Sequence, residues 1–289
     1  MIYLLAASLI WAFSFGLIKS QLSGVPPHLV ACLRLLLSAA LFAPWCRPRR
    51  IPPRSLGLLA LCGALQYGAM YLAYLAAFRH LRASEVALWT VFTPIYVVLI
   101  ADLFARAFRG KNLLAALLSV AAAWLVMGGR AEIALTGILL VQLSNLCFAG
   151  GQVWYRRLLP PGAPTRDHEV FAALYLGGTL LAALPVVFSA GMPEALRALS
   201  AAQIWTLLYL GLIPSGLAFF LWNAGVRRSG EGTAAVLNNA KIPLAILVSW
   251  LLFEPLPTPE IFLRTAAAVA LLAVAVRLAD LSTDEAATG

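Results

Sequence analysis

Charge is what this sequence has least of. Only 11% of its 289 residues are Asp, Glu, Lys or Arg, against 62% hydrophobic, whereas a soluble domain carries roughly a quarter charged residues. No water-facing surface can be assembled from so little polarity. The net charge of +9 therefore does not point to nucleic acid, because basic residues would need a soluble face to present them. Histidine is thin as well. His28, His80 and His168 lie outside the middle of the apolar runs and form no metal-ligand set, and no Ser/His/Asp constellation can be brought into one site. No metal, cofactor or enzymatic activity is expected. No Gly-x-x-x-x-Gly-Lys-Ser/Thr segment occurs, which argues against ATP-driven work by this chain alone. The four cysteines, Cys32, Cys46, Cys62 and Cys147, fall in or beside apolar runs without ligand spacing and read as small core residues.

What the sequence does have is length of apolar run. Stretches of about 17 to 23 residues recur from end to end, each long enough to cross roughly 30 Å of hydrocarbon. Taking the charged and Pro/Gly-rich interruptions as loops places spans near 1–19, 29–46, 56–78, 84–104, 112–128, 135–155, 170–190, 201–222, 232–253 and 260–279. The first has no basic residue before its apolar run and no small-residue cleavage pattern, so it is kept as a helix rather than a secretory signal. Residues 282–289 are hydrophilic and are expected to form a disordered tail. With ten spans, one set of loops holds 13 Lys and Arg, among them Arg47, Arg109 and Arg228, and the other holds 6. Basic residues are retained in the cytoplasm when loops are short, so both termini are expected there, in a multi-pass protein of the cell's inner membrane.

Sliding the sequence by 149 residues superposes Arg79 on Arg228, Ser84 on Thr233, Leu88 on Leu237, Pro94 on Pro243, and Leu103-Phe104 on Leu252-Phe253. The matches fall on spans four and nine. Five spans per half is an odd number, so the second copy enters the bilayer from the opposite side, as in the inverted repeats of many secondary transporters. The expected organisation is all-α, with one five-helix repeat in 1–130, a second in 131–281, and the tail 282–289.

Three stretches resemble the EamA-type transporters of the drug/metabolite transporter superfamily: Leu9-Ile-Trp-Ala-Phe-Ser-Phe-Gly-Leu-Ile-Lys19, Ala31-Cys-Leu-Arg-Leu-Leu-Leu-Ser-Ala-Ala40, and Ile242-Pro243 through Leu252-Phe-Glu-Pro255, with Glu254 at the family's acidic position. The first copy departs from that pattern, ending span four as Asp102-Leu-Phe-Ala105 without an acid after the Phe, and Arg264 stands where the tenth helix usually opens with glycine. The resemblance implies ten helices around a central cavity, alternating access, and export of amino acids, carboxylates, amines or other metabolites. The expected partners are a small-molecule substrate and the lipid bilayer, with protons as candidate coupling ion and a monomeric chain.

The candidate site follows from polar residues where hydrocarbon penalises them. Pro94 and Pro243 remove an intrahelical hydrogen bond each and free backbone carbonyls, tolerated only against protein or a wet cavity. They mark helix kinks and candidate gates. Around them stand Trp89, Thr90 and Thr93 on span four, Tyr67 and Tyr71 on span three, Asn145 on span six, Asn223 ending span eight and Trp11 on span one. These residues wall a cavity, or the polar ones tie helices together. Lys241, with Asn238 and Asn239 beside it, is the sharpest residue. An unpaired lysine at mid-span costs roughly 2.5–3.5 kcal/mol. It pairs with a substrate carboxylate, acts as a proton switch, or is neutralised by a fixed acid or by carbonyls. Arg34 lies close to the start of span two, where its long side chain can reach the headgroups as an anchor. Trp89, Thr90 and Phe92 on span four against Asn238, Asn239 and Lys241 on span nine predict one aromatic wall and one polar, cationic wall. Aromatic lining with a cation suits an aromatic amino acid; a multidrug or amine exporter and a non-transporting receptor or scaffold are the alternatives.

Overall fold

The computed structural model describes residues 1–12, 15–22, 24–48, 51–127, 134–160, 162, 165–244 and 258–288. All of its regular structure is helical. We number the spanning helices in chain order: α1 (Ile2–Ala12 and Phe15–Gln21), α2 (Pro27–Phe42), α3 (Pro53–Ala77), α4 (Ala83–Trp89, continuing Thr93–Ala105), α5 (Gly110–Met127), α6 (Leu135–Leu158), α7 (Asp167–Phe188), α8 (Ala201–Arg227), α9 (Glu231–Leu237, continuing to residue 244) and α10 (Pro259–Thr288). A short helix, Met192–Arg197, precedes α8. Among the described residues seven helices are individually long and apolar enough to cross a membrane, and two shorter apolar ones, Ile2–Ala12 and Gly110–Leu125, accompany them. The lipid-facing surface is rich in exposed Leu, Ile, Val and Phe, as expected where hydrocarbon replaces water.

One expectation changes. The backbone of 282–288 continues α10 instead of leaving it, because no Gly or Pro interrupts before Gly289 and Ala286 and Ala287 are strong helix formers. Glu254, Pro255 and the Leu252-Phe253 match lie outside the described residues.

Four of the helices are interrupted, in matched pairs. In α3, residues Ala64–Ala69 form a π segment, and Gly211–Leu217 form another in α8. In α4 and α9 the interruption is a turn of 3₁₀ helix, Thr90–Phe92 and Asn238–Ala240, just before Pro94 and Pro243. Shifted by 149 residues, each first-half interruption overlaps its second-half counterpart to within one or two residues. The same offset that aligned the two prolines thus aligns the backbone, and the fold is two inverted five-helix repeats around a central cavity.

Helix α7 packs against α2 and α3, α6 against α3 and α4, α8 against α1 and α2, and α9 against α4 and α10. The α3–α7 contact is backbone on backbone. A Cβ on Gly63 would lie 1.8 Å from the Leu174 carbonyl oxygen, and one on Gly177 1.8 Å from that of Ala60. Small residues that let helices approach this closely replace the hydrophobic drive that lipid cannot supply.

Candidate functional site

A cavity of about 90 Å³ lies between the halves, walled by Trp11 and Ile18 of α1, Arg34 of α2, Met70, Tyr71 and Tyr74 of α3, and Thr90 and Thr93 of α4. Ser144, Asn145 and Phe148 of α6, Phe219 of α8, and Asn238 and Lys241 of α9 complete it. Among the described residues its lining holds two cations and no acid. Among the described residues no group of His, Cys, Asp and Glu could hold a metal ion.

The 3₁₀ turns decide which side chains of α4 and α9 enter the cavity. In a 3₁₀ turn residues i and i+3 eclipse, so Thr90 and Thr93 face it together, as do Asn238 and Lys241. The same geometry rotates Trp89 and Asn239 away, and both expected positions are corrected. The Trp89 ring stacks on Phe92 and meets Trp124 of α5 edge-on. Asn239 donates its amide to the Val91 carbonyl at 2.9 Å and to Ser119 at 3.3 Å.

The turns also leave carbonyls to be satisfied from elsewhere. In α4, the N–H of Thr93 bonds to Thr90 instead of Trp89. The Trp89 carbonyl accepts from Asn145 at 2.9 Å and Gln142 at 3.2 Å, both on α6. In α9, the N–H of Lys241 turns to Asn239, and the Leu237 carbonyl accepts from Ser8 of α1 at 3.2 Å. Each half therefore supports the interrupted helix of the other. Ser8 escaped the sequence reading, since one hydroxyl in an apolar helix carries no signal of its own.

Tyr67 and Asn223 are likewise not on the cavity wall. Asn223 exchanges hydrogen bonds with Gln66 (2.9 and 3.1 Å) and donates to the Tyr67 hydroxyl at 2.9 Å, closing a buried network between α3 and α8. Buried amides satisfied by one another have little capacity left for a ligand. Trp222 is spent similarly, donating to Gln152 at 2.7 Å. The aromatic wall comes instead from Trp11, Phe148 and Phe219, with ring centroids 5.0 to 6.2 Å apart.

Lys241 is buried, and its Nζ donates to the Asn238 side-chain oxygen at 3.1 Å. Arg34 overturns the headgroup expectation. It is 2% exposed, its Nε donates to Ser215 at 3.0 Å, its Nη2 donates to the Tyr71 hydroxyl at 2.8 Å, and its guanidinium lies 4.5 Å over the Tyr71 ring. Inward hydrogen bonds to α3 and α8 outcompete a reach to the membrane surface.

One end of the molecule is closed by ion pairs. Asp167, opening α7, accepts from Arg227 at 2.8 Å, Arg228 at 3.2 Å and Tyr155 at 2.6 Å. Beside it Arg109 bridges Asp102 at the end of α4 and Glu231 at the start of α9, both at 2.6 Å. The cavity lies toward the opposite end, where Ile18 also borders a second space lined by Leu22, Val25 and Arg79.

The model of the EamA-like transporter family matches residues 1–128 and again 135–277. The chain is 36% identical to the "Biotin transporter" of Salmonella typhimurium over 93% of this chain and 90% of that one. It is 27% identical to the "Probable terminal-alkyne amino-acid exporter" of Streptantibioticus cattleyicolor, over 86% and 84%. A solved crystal structure at 22% identity superposes with a TM-score of 0.74, covering 97% of this chain and 96% of its own, and shares its fold.

Proposed function

The chain belongs to the EamA-like transporter family, and from that premise we propose that its cargo is biotin or a closely similar hydrophobic monocarboxylate, moved by alternating access across the inner membrane. The observation that carries this reading is a cavity lined by two buried cations, Arg34 and Lys241, with no acid among the described residues of its wall. A carboxylate is the partner such a lining lacks. Lys241, steadied by Asn238, is the group we assign to it first. Biotin adds an apolar chain and bicycle for Trp11, Phe148 and Phe219, and a ureido group whose N–H groups can donate to the hydroxyl oxygens of Thr90 and Thr93 and whose C=O can accept from Ser144. The similarity to biotin transporters, at 36% identity over most of both chains, supports the same cargo. A zwitterionic amino acid fits less well, since its ammonium would enter beside two cations with no carboxylate to meet it, and a cationic drug fits worse. With both termini in the cytoplasm, the ion-paired end is the cytoplasmic one and the described state exposes the cavity to the outside. Purified protein in biotin-loaded proteoliposomes is expected to exchange external radiolabelled biotin for internal biotin. Absence of biotin exchange alongside exchange of phenylalanine would return the cargo to amino acids.

A further inference from the structure

The two cations of the cavity are chemically unequal. Among the described residues Lys241 is bonded to Asn238 alone, whereas the guanidinium of Arg34 carries five N–H donors in a fixed fork and stays charged in any protein environment. Arg34 is therefore the permanent charge of the cavity, and its surroundings leave that charge uncompensated: its bonds go to two neutral hydroxyls, Ser215 and Tyr71, and no described acid pairs with it. Its Nη1 is buried without a hydrogen-bond partner.

The seat that fixes this posture belongs to α8. Within the π segment, Ser215 sends its hydroxyl proton to the Leu210 carbonyl at 2.7 Å, so its oxygen can only accept from Arg34 and from the Tyr71 hydroxyl at 2.9 Å. Nε and Nη2 are thereby engaged, and the third corner of the guanidinium is left for a ligand. A buried donor left unmade is costly, and more so for a charged group.

We propose that Arg34 sets the charge of the cargo: its free Nη1 takes a carboxylate oxygen of the substrate, so that the cavity selects hydrophobic monocarboxylates over their uncharged amides. This rests on the carboxylate reading above and adds the residue that enforces it. The test compares biotin with biotinamide in exchange assays on proteoliposomes. Wild type is expected to favour the acid in kcat/KM by about 10- to 100-fold, the range for one hydrogen bond to a charged group. In Arg34→Gln that ratio is expected to collapse toward 1, while Arg34→Lys restores part of it. Equal losses for acid and amide in a folded Arg34→Gln protein would overturn the proposal and leave Arg34 a packing residue. If the variant does not fold, ligand-induced melting shifts on wild type decide: equal shifts by acid and amide overturn it. If biotin is not carried at all, the biotin reading fails separately, and lipoate against lipoamide in the same melting assay still tests Arg34.

Discussion

At the scale of single residues, a spacing of three settles which side chains line the cavity. Thr90 with Thr93 and Asn238 with Lys241 enter the cavity, while Trp89 and Asn239, one position off, do not. A regular helix would have set Trp89 above Thr93 on one face, which is why the sequence placed it in the wall. Lys241 was legible because a charge deep in an apolar run is costly wherever it stands. Arg34 was not, since the groups that turn it inward, Tyr71 and Ser215, lie 37 and 181 residues away. We expect Lys241→Met to lower biotin kcat/KM by about 10-fold or more without lowering the melting temperature, because an unpaired buried charge is removed. Unchanged exchange kinetics in that variant would relieve Lys241 of any role with the carboxylate.

Among the elements, the interrupted helices α3, α4, α8 and α9 all contribute to the cavity wall, and prolines announced only some of the interruptions. Pro94 and Pro243 pointed to α4 and α9, and Pro214 lies inside the π segment of α8. The π segment of α3 runs Ala-Leu-Gln-Tyr-Gly-Ala, with nothing in its composition to distinguish it from ordinary helix; its match to α8 becomes visible only through the repeat. Support for the interruptions comes from single polar side chains on neighbouring helices. Ser8→Ala is expected to cost about 0.5–1.5 kcal/mol, seen as a lower melting temperature in detergent, with Ser8→Thr close to wild type. Ser8 is buried outside the cavity, so an effect on substrate affinity alone, with unaltered stability, would contradict its role in holding α9.

For the whole molecule, the alternating-access reading proposed above makes the ion-paired end and the cavity one of two states, with the pairs at Asp167 as the contact that holds that end closed. Asp167 is 4% and Arg227 8% exposed, and removing one partner of a buried pair costs about 3–5 kcal/mol. Asp167→Asn is therefore expected to shift the population toward opening at that end. Cys62, fully buried and donating to the Gly151 carbonyl at 3.3 Å, reports it: in a protein whose other cysteines are replaced, maleimide should label Cys62 faster in Asp167→Asn than in the parent. Equal labelling rates would place the gate elsewhere. The ten spans and the two-half plan were legible because hydrophobic length is a local property, whereas this end-to-end asymmetry depends on pairs such as Asp167 with Arg227, 60 residues apart. The crossed support of the interrupted helices reaches back to synthesis on the ribosome. When α4 leaves the translocon, its bared Trp89 carbonyl has no α6 to meet it, and Ser8 waits for α9 until almost the entire chain is made. The first five helices alone are an unfinished object, and the nascent chain commits to its native packing late.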